Sequence, residues 1–206
     1  MKIKVCGMTN PQNIRELVQL PVDMAGLIFY EKSSRYAGNL SVADVRMAPP
    51  SIWKVGVFVN ATEKEIEDKM KRYHLQAIQL HGNETPDFCK KIKEKGMIVI
   101  KAFSISEEKD LNHCDSYSAC CDYFLFDTKT PQYGGSGKQF DWKIIETYQS
   151  ETPFFLSGGI SPNDAERISE IRHPSFYGID LNSRFETMPG IKNIDLLRTF
   201  IQTLKK

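Results

Sequence analysis

The chain lacks any apolar run approaching the roughly 20 residues that a membrane-spanning helix needs. It begins Met-Lys-Ile-Lys-Val-Cys-Gly, strand-like from the start, with neither the apolar core nor the cleavage site of a secretory leader. No membrane partner and a cytoplasmic location are therefore expected. Neither charge sign is in excess: 27 Lys and Arg face 26 Asp and Glu, for a net charge of +1. That balance gives no electrostatic basis for binding nucleic acid or an anionic membrane. The five cysteines are odd in number and contain no C-x-x-C pair. The histidines at 74, 81, 113 and 173 do not fall at ligand spacing with them, so no metal is expected. Most of these thiols read as small apolar core groups, with Cys6 as the exception to examine. Low-complexity segments and linkers are also missing, so the chain reads as one domain, 1–206.

What is present is an ordinary soluble composition, 41% apolar and 26% charged, organised as repeating short units. Strands are expected at Lys2–Cys6, Asp23–Phe29, Ile52–Phe58, Gln76–Leu80, Met97–Ala102, Tyr123–Asp127, Pro153–Ser157 and Phe176–Asp180. Helices are expected between them. Pro11–Leu20 has Asn10 as its cap, and Glu63–Tyr73 has a Thr62/Glu65 capping box. A third runs from Asn83/Glu84 to Glu94, where Gly96 stops it. Phe140–Tyr148, Pro162–Ile171 and Ile194–Leu204 follow. Glu31–Ala48 has room for only a short helix, and Glu107–Cys121 is a weak, polar helical segment. Eight βα units predict an α/β fold, a closed parallel (β/α)8 TIM barrel, with a doubly wound open sheet as the alternative.

In such a barrel the chemistry collects at the carboxyl ends of the strands. Those ends carry Cys6-Gly7, Ser34-Arg35, His81-Gly82, Asp127, Ser157-Gly158-Gly159 and Asp180-Leu-Asn182-Ser183. Asp127 closes an apolar strand and precedes a glycine-rich loop, Gly134-Gly135-Ser-Gly137, the pattern of an acid beside a flap. Gly158, Gly159, Asn182 and Ser183 occupy the usual phosphate position after strands 7 and 8, though two tight turns would look alike. Cys6 shares strand parity with Lys2 and Lys4, so Lys4 should lie inside the barrel beneath it and need a carboxylate partner. A nearby ammonium would lower the pKa of Cys6 and make it a base; otherwise Cys6 is a packed apolar residue. Arg35 suits a ligand carboxylate or phosphate, or else is solvated. His81 has either a ligand-binding or a loop-tethering role, and Lys129 and Lys138 flank the flap.

Several stretches in order resemble the phosphoribosylanthranilate isomerase family. They are Lys4-Val-Cys6-Gly7-Met-Thr, Ser34-Arg35, Val55-Gly-Val-Phe-Val-Asn60, Leu80-His81-Gly82, Phe126-Asp127, Gly135-Ser-Gly137 with Phe140-Asp-Trp142, Ser157-Gly158-Gly159-Ile, and Pro189-Gly-Ile-Lys-Asn. The resemblance implies an Amadori rearrangement in tryptophan biosynthesis. N-(5-phosphoribosyl)anthranilate would become 1-(2-carboxyphenylamino)-1-deoxyribulose 5-phosphate, with no cofactor. It implies Cys6 as general base and Asp127 as general acid, with Arg35 on the anthranilate carboxylate and Gly158, Gly159, Asn182 and Ser183 around the phosphate. His81, Gly134, Gly135 and Asp180 complete the expected substrate contacts, and the partner is a small phosphosugar bearing anthranilate. One departure stands after strand 8. There the family has a small-residue run ending in Val-Glu, and Arg184 replaces a glycine in Asn182-Ser183-Arg184-Phe185-Glu186. Three rival readings are a two-carboxylate phosphosugar isomerase, a non-catalytic phosphometabolite-binding module, and a cysteine hydrolase pairing Cys6 with His81.

Overall fold

The computed structural model describes residues 1–129 and 139–205. Eight strands are hydrogen-bonded in sequence order and closed on themselves: β1 (Lys2–Val5), β2 (Met24–Ile28), β3 (Trp53–Phe58), β4 (Ala77–Leu80), β5 (Ile98–Ile105), β6 (Tyr123–Thr128), β7 (Phe154–Leu156) and β8 (Phe176–Leu181). All neighbours are parallel, and β1 pairs with both β2 and β8. The open-sheet alternative is thereby excluded. Each strand falls on an expected β-rich run. Cys6 lies one residue past β1, but its N–H still donates to Leu181 O at 2.9 Å.

Alternating side chains build two cores. Met24, Val55, Ala77, Ile100, Ala102, Leu125 and Phe155 fill the barrel, with Trp53, Ile98, Tyr123 and Tyr177 packed against them. The other parity, including Phe58, Phe124, Phe126 and Phe154, packs outward against the helices. Above the apolar barrel layers sits a polar one made of Lys4, Gln79, Asp127 and Asp180, and this is the floor of the site. Strand β8 reaches that layer through a shift in its register with β7: Phe154 pairs with Phe176, yet Phe155 pairs with Gly178. The extra residue, Tyr177, lets both Tyr177 and Asp180 face inward despite their odd spacing.

The helices are α1 (Pro11–Leu17), α2 (Val42–Arg46), α3 (Glu63–Tyr73), α4 (Pro86–Glu94), α5 (Ala165–Ser169) and α6 (Ile194–Leu204). Their starts follow local chemistry. Asn10 and Thr62 accept hydrogen bonds from the N–H groups of Asn13 and Glu65, as expected, and Asn193 accepts from Leu196 in the same way. Helix α4 does not start at Asn83/Glu84. Thr85 caps it with Pro86 in the first turn, and Glu84 is turned inward instead. The segments Glu108–His113, Asp115–Tyr117 and Trp142–Thr147 are 3-10 turns rather than the expected α-helices. Pro162–Ile171 splits into the 3-10 turn Pro162–Asp164 and α5. After β8 a 3-10 turn, Ser183–Phe185, leads to an antiparallel hairpin, β9 (Glu186–Met188) and β10 (Ile191–Lys192). No described helix is long and apolar enough to cross a membrane.

Candidate active site

Lys4 answers the parity argument. Its side chain is 0% exposed, and its ammonium lies 2.9 Å from Asp180 Oδ1, the carboxylate the sequence left unnamed. Burial opposes the charge on Lys4, but Asp180 and the Cys6 thiol outweigh it, and the ammonium is held above its ordinary pKa. The Cys6 sulfur packs over Gly26, where an added methyl would stand 2.6 Å from Sγ. A glycine in β2 is thus what leaves room for the thiol. The expected lowering of the Cys6 pKa does not hold. Burial pushes the thiol up, and Lys4 and Lys192 recover only part of that shift. The desolvation of a fully enclosed sulfur is larger than the attraction of ammonium groups already engaged with carboxylates.

Asp127 stands at the end of β6, with its Oδ2 at 3.3 Å from His81 Nε2. The Gln79 amide donates to His81 Nδ1 at 2.9 Å. With the Gln79 amide in this orientation, the ring proton lies on Nε2 and faces the carboxylate. The other oxygen, Oδ1, accepts from the Thr128 N–H at 2.9 Å. Gly158 lies against the same pair. Its φ is +86°, and a methyl there would sit 2.5 Å from Thr128 N and 2.9 Å from Asp127 Oδ1. This glycine is required both by its left-handed backbone and by its closeness to Asp127. Gly159 is also left-handed, with φ +69°.

Arg35 is neither solvated nor alone. It forks onto Glu186, with Nε to Oε1 at 2.9 Å and Nη2 to Oε2 at 2.7 Å. Lys192, buried, also donates to Glu186, and reaches Asn182 Oδ1 at 2.8 Å. Burial works against the Glu186 charge, but Arg35 and Lys192 outweigh it and hold the carboxyl below its ordinary pKa. Burial in turn pulls Lys192 down. Gly7, with φ +80°, fits beneath this network, since a methyl there would meet Arg35 Cδ at 2.8 Å and Asn182 Oδ1 at 2.9 Å. The turn that carries Arg184 needs no left-handed residue: Asn60 and His74 are the non-glycine positions with positive φ among the described residues. A 3-10 turn thus accommodates the arginine without backbone strain.

Cys6, Arg35, His81, Asp127 and Asp180 line one cavity at the barrel mouth, together with Gln79 and Ser157. Gly158, Gly159, Asn182 and Ser183 are not among its lining residues; Gly158 lies against Asp127, and Asn182 against Gly7 and Lys192. Ser183 begins the turn beside Asn182. Gly134, Gly135 and Lys138 lie outside the described residues. Sequence reasoning missed Gln79, Gly26, Glu186 and Lys192. Gln79 shares inward parity with Ala77 and could have been found from it. Lys192 stands in the Pro-Gly-Ile-Lys-Asn run, but nothing in its spacing shows burial.

Comparison with known proteins agrees along the whole chain. The family model described as "N-(5'phosphoribosyl)anthranilate (PRA) isomerase" matches residues 3–203. The N-(5'-phosphoribosyl)anthranilate isomerase of Parabacteroides distasonis is 50% identical, over 99% of this chain and 93% of that relative. The crystal structure of phosphoribosyl anthranilate isomerase from Thermotoga maritima superposes with a TM-score of 0.84 at 37% identity, covering 100% of this chain and 98% of that one. A crystal structure of the isomerase in complex with reduced 1-(o-carboxyphenylamino)-1-deoxyribulose 5-phosphate superposes at 0.82 with 32% identity and the same coverage. With a family model matched over residues 3–203 and a relative 50% identical over 99% of this chain, the chain belongs to the N-(5'-phosphoribosyl)anthranilate isomerase family.

Proposed function

We propose that this barrel mouth opens the ribose ring of N-(5-phosphoribosyl)anthranilate and rearranges it to 1-(2-carboxyphenylamino)-1-deoxyribulose 5-phosphate, with Asp127 as acid and Cys6 as base. The carrying observation is that both residues line one cavity with Arg35 and His81. Ring opening needs a proton on the furanose oxygen as its bond to C1′ breaks, and Asp127 supplies it. His81, with its Nε2 3.3 Å away, positions that carboxylate. The product of this step is a protonated imine. Its positive charge joins those of Lys4 and Lys192 and favours the Cys6 thiolate, whose proton is released to solvent at the barrel mouth, offsetting the burial that keeps the resting thiol protonated. The thiolate then removes the C2′ proton, electrons flow into the imine, and the enamine tautomerises to the ketone. Because the imine nitrogen is the electron sink, the chemistry requires no metal or redox cofactor.

Arg35 is assigned to the anthranilate carboxylate, and its bidentate hold on Glu186 pre-orients the guanidinium. Gly158, Gly159, Asn182 and Ser183 are assigned to the phosphate, and Gly134 and Gly135 to closure over the reactive imine. Asp180 acts from below through Lys4. The whole chain works as one domain on a small phosphosugar, in the cytoplasm. All five thiols are free, which suits a reducing compartment. The test is direct. Phosphoribosylanthranilate generated from anthranilate and phosphoribosyl pyrophosphate is given to the purified chain, and loss of its fluorescence is followed. Acceleration over the spontaneous rate is expected; none would overturn the reading.

A further inference from the structure

Outside the barrel mouth the fold gathers three cysteines that the sequence keeps apart. Cys89 lies on α4, and Cys120 and Cys121 lie in the turn that enters β6. Their sulfur atoms all fall within 4.8 Å of one another, and all three residues are buried. None is in a disulfide. We propose that Cys89, Cys120 and Cys121 form a three-sulfur site for a soft, thiophilic d10 cation of the copper(I) type.

The geometry carries the choice of ion. A metal held at about 2.3 Å by three sulfurs places them about 4.0 Å apart, within the observed spacing. Soft thiolates select copper(I) and zinc over harder ions. Zinc in a structural site takes four ligands. Among the described residues no fourth Cys, His, Asp or Glu joins this group. Glu84 is engaged by the Gly82 and Asn60 N–H groups and by Lys101, and Asp122, next to Cys121, is engaged by the Val99 N–H and by Lys93. Copper(I) is satisfied with three donors. On binding, each coordinated thiol releases its proton to solvent, so affinity should rise with pH. The buried Lys101 ammonium, fixed by Leu80 O, Gly82 O and Glu84, offsets part of the resulting negative charge. Access is short, because Ser118 and Ala119, just before the pair, are exposed. An ion here would tie α4 to the strand whose far end carries Asp127.

The experiment is an anaerobic titration of the fully reduced chain with copper(I) against a chromogenic copper(I) chelator, with X-ray absorption of the loaded protein. Cys6→Ala and Cys114→Ala serve as controls for binding at the other buried thiols. One equivalent with three sulfur neighbours is expected, retained in both controls. Cys89→Ala and Cys121→Ala should each lower the affinity at least tenfold. Absorption on the unmodified chain keeps the test decisive if those variants do not fold. Two-sulfur coordination, loss of binding in Cys6→Ala, no equivalent held against the chelator, or a preference for zinc with a fourth non-protein ligand would each overturn the proposal.

Discussion

Asp180→Asn removes a charge and keeps the shape, so it isolates what the buried ion pair does. The two side chains are 0% and 6% exposed, and Nζ to Oδ1 is 2.9 Å. At that distance, with an effective dielectric constant of about 20, the attraction is about 6 kcal/mol before desolvation is charged against it. Removing one partner leaves the other buried and unpaired, which costs about 3–5 kcal/mol. For a chain of this length each kcal/mol moves Tm by about 2–4 °C, so Asp180→Asn should melt roughly 6–20 °C lower. The double variant Lys4→Met with Asp180→Leu removes both charges, and its stability should return close to that of the parent. Its turnover should not return, because Cys6 has lost the ammonium beneath it. Urea and thermal melts at neutral pH, read beside turnover of phosphoribosylanthranilate, measure both effects. A single variant within about 1 kcal/mol of the parent would refute the reasoning. A double variant as unstable as the single one would do the same.

Other perturbations probe neighbouring parts. Arg35→Ala should weaken anthranilate-bearing ligands by about 2–5 kcal/mol and spare inorganic phosphate, as titration calorimetry with both ligands would show. Gly158→Ala should cost about 1–3 kcal/mol in denaturant melts and lower kcat, because the left-handed backbone is strained and the new methyl meets Thr128 and Asp127. Burial pushes the Cys114 thiol from an ordinary 9.0 up to about 12. The unfolded chain therefore loses this proton first, and stability is full below pH 9 and falls as pH rises towards 12, by about 1.4 kcal/mol per unit for this one group. Urea melts across that range should show a shallower slope for Cys114→Ala.

The barrel was legible because strand and helix chemistry alternate cleanly. β-branched and aromatic runs such as Trp53–Phe58 are bounded by turn residues, and Thr62 with Glu65 marks a helix start without reference to tertiary structure. The errors have local causes. Helix α4 is expected to begin at Asn83/Glu84, but Pro86 fits the first helical turn and Lys101 pairs with the inward Glu84 carboxylate. Glu107–Cys121 has no apolar stripe at helical spacing, so its backbone closes in 3-10 turns over Leu111 and Cys114. The site was legible as a set of strand ends but not as a network. Parity counted along β8 from Tyr177 points Asp180 outward, and only the register shift against β7 turns it towards Lys4. Arg35 and Glu186 are far apart in sequence, so their pairing, and the role of Lys192 beneath it, belong to tertiary structure. The sequence also suggested that a lysine near Cys6 would give a ready thiolate. How strongly enclosure opposes that depends on packing that no spacing encodes.

The central claim is that Cys6 and Asp127 divide the proton transfers between them, and one comparison tests it most directly. Turnover of phosphoribosylanthranilate and affinity for the reduced product analogue are measured for Cys6→Ser and Asp127→Asn. A serine hydroxyl is too weak an acid to serve as a base near neutral pH, and an asparagine has no proton to give the ring oxygen. Loss of a positioned acid or base costs roughly 10²–10⁴-fold in rate, and the account predicts at least that for each variant. Affinity should stay within about tenfold of the parent, because neither side chain is assigned to the phosphate or the carboxylate. A Cys6→Ser variant with near-native kcat would contradict the account, leaving Cys6 a packed thiol and the base elsewhere at the barrel mouth.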